Sequence, residues 1–106
     1  MSKQEYKRHE WRLEKIYSPK WGEMHFEIMY KVKYLWFFTG WNYICKDDIN
    51  WCKYTDENAY TTLYYSGIAI FNSETLAREF INCYEQYREK MYKIREELSH
   101  PYIEVK

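Results

Sequence analysis

Glycine and proline are scarce in this chain, with three Gly and two Pro among 106 residues. That scarcity excludes collagen-like and low-complexity chains, and 46% hydrophobic residues leave too much apolar mass for a disordered one. Cysteine is scarce as well. Cys45, Cys52 and Cys83 form an odd, irregularly spaced set that is neither a disulfide framework nor a paired zinc knuckle, and they read as reduced thiols. Long hydrophobic runs are missing: Tyr34 to Phe38, with Trp41, Tyr43 and Ile44 just beyond, falls far short of the roughly 20 residues of a membrane span. The N-terminus MSKQEYKRHEWR is charged and lacks the apolar centre of a secretory signal, so a cytoplasmic chain with no membrane partner is expected. Net charge is missing too, since 16 Lys+Arg balance 16 Asp+Glu, which argues against nonspecific duplex binding.

The charge is nevertheless polarised. Residues 1–33 carry an excess of Lys and Arg, whereas residues 47–74 set Asp47, Asp48, Asp56, Glu57 and Glu74 against Lys53 alone. A chain of this length makes one small domain, residues 1–106, that buries only about 60–70% of its unfolded surface. A large internal cavity would compete with the core for volume, so an enzyme is not expected.

Periodicity sets out the elements. Met24, Phe26, Ile28, Tyr30, Val32, Tyr34, Trp36 and Phe38 take every even position from 24 to 38, while His25, Glu27, Lys31 and Lys33 take odd ones, which predicts a long amphipathic strand. Residues 11–17 read as a shorter strand before the Ser18-Pro19 turn, and residues 41–45 as a third. Residues 46–59 mix turn formers with Trp51 and Tyr54 and read as a long loop. A strand resumes over 60–71, with Gly67 as a bulge or close-approach site. At Phe71-Asn72-Ser73-Glu74-Thr75 the period changes, Asn72 or Ser73 being an N-cap and Glu74 favoured by the helix dipole. A long helix over 73–98 follows, with Leu76, Phe80, Tyr84, Tyr87, Met91, Ile94 and Leu98 on one stripe. At about 1.5 Å per residue it outruns any strand beside it, so its second half overhangs and packs on the long strand or on the same helix of a second copy. Residues 1–9 are expected to be loose, and residues 99–106 to form a tail in which Tyr102 to Val105 offer a short edge strand at most. The fold class expected is α+β: an antiparallel sheet of about four strands with one long C-terminal helix packed on one face.

Chemistry-bearing patterns are few. His9, His25, His100 and the three cysteines form no CxxC, HxxxH or HExxH pair, so no metal site and no cofactor are expected. No nucleophile elbow or phosphate loop is present, and no catalytic residue is assigned. Asp47, Asp48, Asp56 and Glu57 lack EF-hand spacing and read as a solvated loop or a contact for a basic partner. Lys7, Arg8, Trp11, Arg12, Lys15 and Trp21 combine cations with aromatic faces, the ingredients of a nucleotide or single-stranded nucleic-acid site, diluted by Glu5, Glu10 and Glu14.

Aromatic residues are the anomaly, at 22% of the chain. A two-layer domain of this size has no room for all of them in its core, so Trp36, Phe38, Trp41, Trp51 and Tyr54 are expected to anchor a partner protein, with the four acidic residues steering it. That partner is either a second copy, giving a homodimer, or a different protein with a basic surface.

The order of Tyr/Trp-rich strands, followed by Ile68-Ala69-Ile70-Phe71-Asn72-Ser73-Glu74-Thr75-Leu76-Ala77-Arg78-Glu79-Phe80-Ile81, resembles small accessory proteins of phages and prophages, among them anti-CRISPR and other anti-defence inhibitors. The resemblance covers the order of elements over residues 10–98, with the motif itself at the strand-to-helix junction. It implies a non-enzymatic protein in the host cytoplasm that inhibits a host protein by occupying its surface, or that sequesters a nucleotide. No site residue carries over.

Overall fold

The computed structural model describes residues 6–18, 22–33, 38–99 and 105. The protein is α+β, a five-stranded antiparallel sheet with one long C-terminal helix packed against it. The elements are β1 (Trp11–Ser18), β2 (Glu23–Lys33), β3 (Thr39–Tyr43), α1 (Lys46–Trp51), β4 (Tyr60–Thr62), β5 (Ala69–Phe71) and α2 (Glu74–Leu98).

At 11 residues β2 is the longest strand and the organiser of the sheet. Eight of its residues, Glu23 to Tyr30, pair with β1, from Trp11↔Tyr30 to Ser18↔Glu23. Its other edge is divided: β3 takes the half from Met29 to Lys33, and β5 takes Phe26 and Glu27. The chain crosses from β3 to β5 through a single bridge, Cys45↔Ile68. The register puts Trp11, Leu13, Phe26, Ile28, Tyr30, Ala69 and Phe71 on the face that α2 covers, where they meet Ala77, Phe80, Ile81 and Tyr84. Ile28, Phe71 and Phe80 are among the fully buried side chains, each contributing about 1.5–3 kcal/mol of hydrophobic stabilisation.

The helix starts as its sequence predicts, with Ser73 Oγ accepting from the Leu76 amide at 3.1 Å. Its buried residues, however, end at Glu85, and the chain beyond projects past the sheet.

Four expectations change. The strand expected over 24–38 is seen as β2, ending at Lys33, and residues 34–37 lie outside the described set. The even-position pattern holds for Phe26, Ile28 and Tyr30 but fails at Met24, which is exposed opposite Tyr17 where α2 does not reach, while His25 and Met29 are buried on the second face. Residues 46–59 are not one loop, because Asp48 folds back to accept from the Cys45 amide at 2.9 Å and starts α1, whose Ile49 enters the core. The 60–71 segment is a hairpin rather than one strand. Gly67, at φ +69°, is its left-handed turn residue and not a bulge. The edge strand expected over 102–105 falls outside the described residues except for Val105.

The end of α1 makes a Schellman motif. The Lys53 amide donates to Asn50 O and the Tyr54 amide to Ile49 O, each at 3.2 Å, with Lys53 left-handed at φ 59°. A lysine there bears the Cβ strain that glycine avoids. Lys53→Gly is therefore expected to stabilise the fold by about 1 kcal/mol, read as a higher midpoint of urea unfolding at unchanged slope.

Candidate functional site

Three regions concentrate polar or exposed aromatic side chains. The first is where the N-terminal segment docks on α2, so of residues 1–9, expected to be loose, the described Tyr6 to His9 are held by the helix. Glu85 is buried, and its carboxylate accepts from the Tyr6 hydroxyl, from the His9 amide at 3.3 Å and from Arg88 Nη1 at 2.9 Å. Burial alone would raise the Glu85 carboxyl, but these donors together outweigh it and hold the group below its ordinary value. Burial and the bond to Glu85 push the Tyr6 phenol up to about 12. The His9 ring stacks on Tyr30 at 4.7 Å, extending a row of rings through Trp11, Tyr84 and Trp51 to Tyr87. This region is a structural clasp closed on Glu85, with exposed Arg8 adding an ion pair to it at 3.8 Å.

The second region is the sheet face away from α2. The register lines up Glu14 with Glu27, and Arg12 and Tyr43 with Met29. Tyr43 Oη donates to Glu14 Oε2 at 3.0 Å, and the Arg12 guanidinium lies 4.3 Å over the Trp41 ring. Glu27 is raised above the ordinary carboxylate range by burial and by the charge and hydrogen bond of Glu14, so the pair favours holding a proton.

The third region is the tip of the β4–β5 hairpin. The Leu63 amide donates to Ile68 O at 2.9 Å and the Gly67 amide to Leu63 O at 2.8 Å, closing the turn over Tyr64, Tyr65 and Ser66. Tyr64 and Tyr65 are 92% and 98% exposed, and their rings meet edge to face at 5.1 Å. The start of α1 runs beside the tip, since the Lys46 amide donates to Gly67 O at 2.9 Å, which brings the next residue, exposed Asp47, alongside. Lys46 itself turns away, donating to Tyr60 Oη at 2.9 Å.

The expected anchors are dispersed. Trp41 sits under Arg12 on the second sheet face, and exposed Phe38 precedes β3 at its far end. Trp51 leans on Tyr84 and Tyr87, and Tyr54 packs edge to face on Phe80 at 5.2 Å inside the core. Trp36 lies outside the described residues, as does Trp21 of the nucleic-acid set. Of the acidic residues, Asp47 adjoins the tip, Asp48 caps α1, and Asp56 accepts from the Asn58 amide at 3.1 Å, with Glu57 beside it, at the other end of β4. The nucleic-acid set is split as well. Trp11 faces the core and Arg12 the opposite sheet face; Lys7, Arg8 and Lys15 are exposed. Tyr64 and Tyr65 were legible as Leu-Tyr-Tyr-Ser-Gly, a pair of neighbouring rings before a turn signal, which no half-buried strand puts on one face.

Burial pushes the Cys52 thiol up to about 11, which makes it a poor nucleophile. Among the described residues no group of three His, Cys, Asp or Glu is arranged to hold a metal, and no helix is long and apolar enough to cross a membrane. Comparison with protein-family models, with curated proteins and with solved structures finds no match to the chain.

Half-buried Glu27 and buried Glu85 act oppositely on stability. Glu27, raised in the fold, stabilises at acid pH and loses that contribution as pH rises through its elevated value; Glu85, lowered, stabilises above the ordinary carboxylate value and loses that as pH falls. Glu27→Gln keeps a donor for Glu14 and removes the cost of ionisation, so its Tm is expected to exceed wild type by roughly 2–4 °C at pH 7 and to equal it at pH 4. A gain independent of pH would contradict the shared proton.

Proposed function

We propose that this protein is a non-enzymatic binding protein whose contact surface is the β4–β5 hairpin tip with the start of α1, and that it inhibits a host protein in the manner of the phage anti-defence proteins its sequence resembles. One observation carries this reading: Tyr64 and Tyr65 stand almost fully exposed on a closed turn. Isolated exposed aromatics are ordinary, but two adjoining ones on a rigid hairpin present a large apolar area that loses little side-chain entropy on contact. Leu63 adds further exposed apolar surface at the base of the turn. Exposed Asp47 follows Lys46, whose amide is bonded to Gly67 O at the base of the hairpin, and its negative charge favours a partner with a basic surface and speeds encounter with it.

The alternative, a nucleotide or single-stranded nucleic-acid binder built on the N-terminal cations, has weaker support. Stacking needs a free ring beside the cations, and Trp11 is engaged with His9, Tyr30 and Tyr84 while Trp41 is covered by Arg12.

The test is a photo-crosslinking residue at Tyr65 in the full chain, expressed in a bacterial host during phage challenge. A single discrete crosslinked protein is expected, with phage survival raised. Tyr64→Ala/Tyr65→Ala is expected to keep its Tm within about 2 °C while losing both effects, with affinity for the isolated partner down about 100-fold. Full activity in that folded double variant would overturn the reading.

A further inference from the structure

Beyond that reading, we infer that the projecting end of α2 pairs with the same segment of a second copy, antiparallel, to form a homodimer. Past Glu85 the helix carries an apolar seam, Tyr87, Met91, Ile94 and Leu98, spaced 4, 3 and 4 as in a two-helix contact. Ile94 is 37% and Leu98 65% exposed, so the described chain leaves the outer end of that seam uncovered. The spacing is self-complementary when one helix is reversed: Tyr87 then meets Leu98 of the second copy, and Met91 meets its Ile94, with the two-fold axis between residues 92 and 93. Tyr87, which also packs on Trp51 of its own chain at 4.8 Å, borders the contact, and Met91, Ile94 and Leu98 form its centre.

Charge selects that orientation. Lys90 and Glu97 flank the seam on one side, and neither makes an ion pair among the described residues, although neighbouring Lys93 is paired with Glu89 at 3.6 Å. In the antiparallel register Lys90 faces Glu97 of the second copy, and by symmetry the pair forms twice. A parallel pair would instead set Lys90 against Arg95 of the second copy, a like-charge contact made twice. On the other flank Arg95 approaches Arg88 of the second copy, whose charge is already met by Glu85 at 2.9 Å.

The lengths agree as well. Residues 87–98 make about 18 Å of helix, and antiparallel overlap of that stretch sets the two sheets at opposite ends of it. So short a contact falls below the roughly 1,200 Å² of a tight interface, which makes the dimer weak and concentration-dependent, with Kd in the micromolar range.

Sedimentation equilibrium of the full chain over a wide concentration range tests this. Wild type is expected to pass from monomer to dimer mass, Ile94→Lys to stay monomeric with unchanged circular dichroism, and Lys90→Glu or Glu97→Lys alone to weaken association about tenfold. The double swap Lys90→Glu/Glu97→Lys is expected to restore it. A monomer mass throughout would overturn the inference, as would single-charge variants that associate like wild type or a double swap that does not recover.

Discussion

The structure depends on β2 having more edge than any one partner fills. One side is paired with β1 from Glu23 to Tyr30, while the other is shared, β3 taking Met29 to Lys33 and β5 taking Phe26 and Glu27. Unpaired backbone groups buried beneath a helix would each cost of the order of 1–3 kcal/mol, and the division of the edge avoids that cost. The Cys45↔Ile68 bridge is the seam where the two halves meet. From it follow the position of α1, which begins immediately after Cys45, and that of the β4–β5 hairpin, which must turn back beside it.

This arrangement also divides the aromatic residues. One set packs into a continuous row between the sheet and the first half of α2, from His9 and Trp11 through Tyr84 to Trp51 and Tyr87, with Tyr54, Tyr60, Phe71 and Phe80 below. Their area compensates for the small size of the domain, where aliphatic burial alone is modest. The N-terminal segment is recruited to the same end, because Glu85 is buried on α2 and needs donors that the helix itself does not supply beyond Arg88. The hairpin tip and the outer end of α2 lie outside this packed row and are exposed. The two surfaces are independent, one offering a pair of aromatic rings on a closed turn and the other a helical apolar seam.

The α+β class, the long C-terminal helix with its Ser73 cap and the central amphipathic strand are all legible in the chain, because each follows from spacing along one element. Hydrophobic period, capping residue and turn residue act within a few positions of one another, so a linear reading finds them. The composition likewise determined that aromatic surface would exceed what the core holds.

Which aromatics stay outside was decided only by the tertiary structure. Trp41, Trp51 and Tyr54 read as anchors, yet Arg12 covers the first, α2 supports the second and Phe80 receives the third, all through contacts between residues distant in the chain. Tyr64 and Tyr65 read as strand residues, yet they emerge because β5 is held by β2 and forces the chain to reverse at Gly67. Charge followed the same rule: Asp47, Asp48, Asp56 and Glu57 are one cluster in the sequence and three separate places in the fold, since α1 and β4 intervene. Local propensity specifies elements, but exposure is a property of what lands beside them, and that depends on how the strands share the edges of β2.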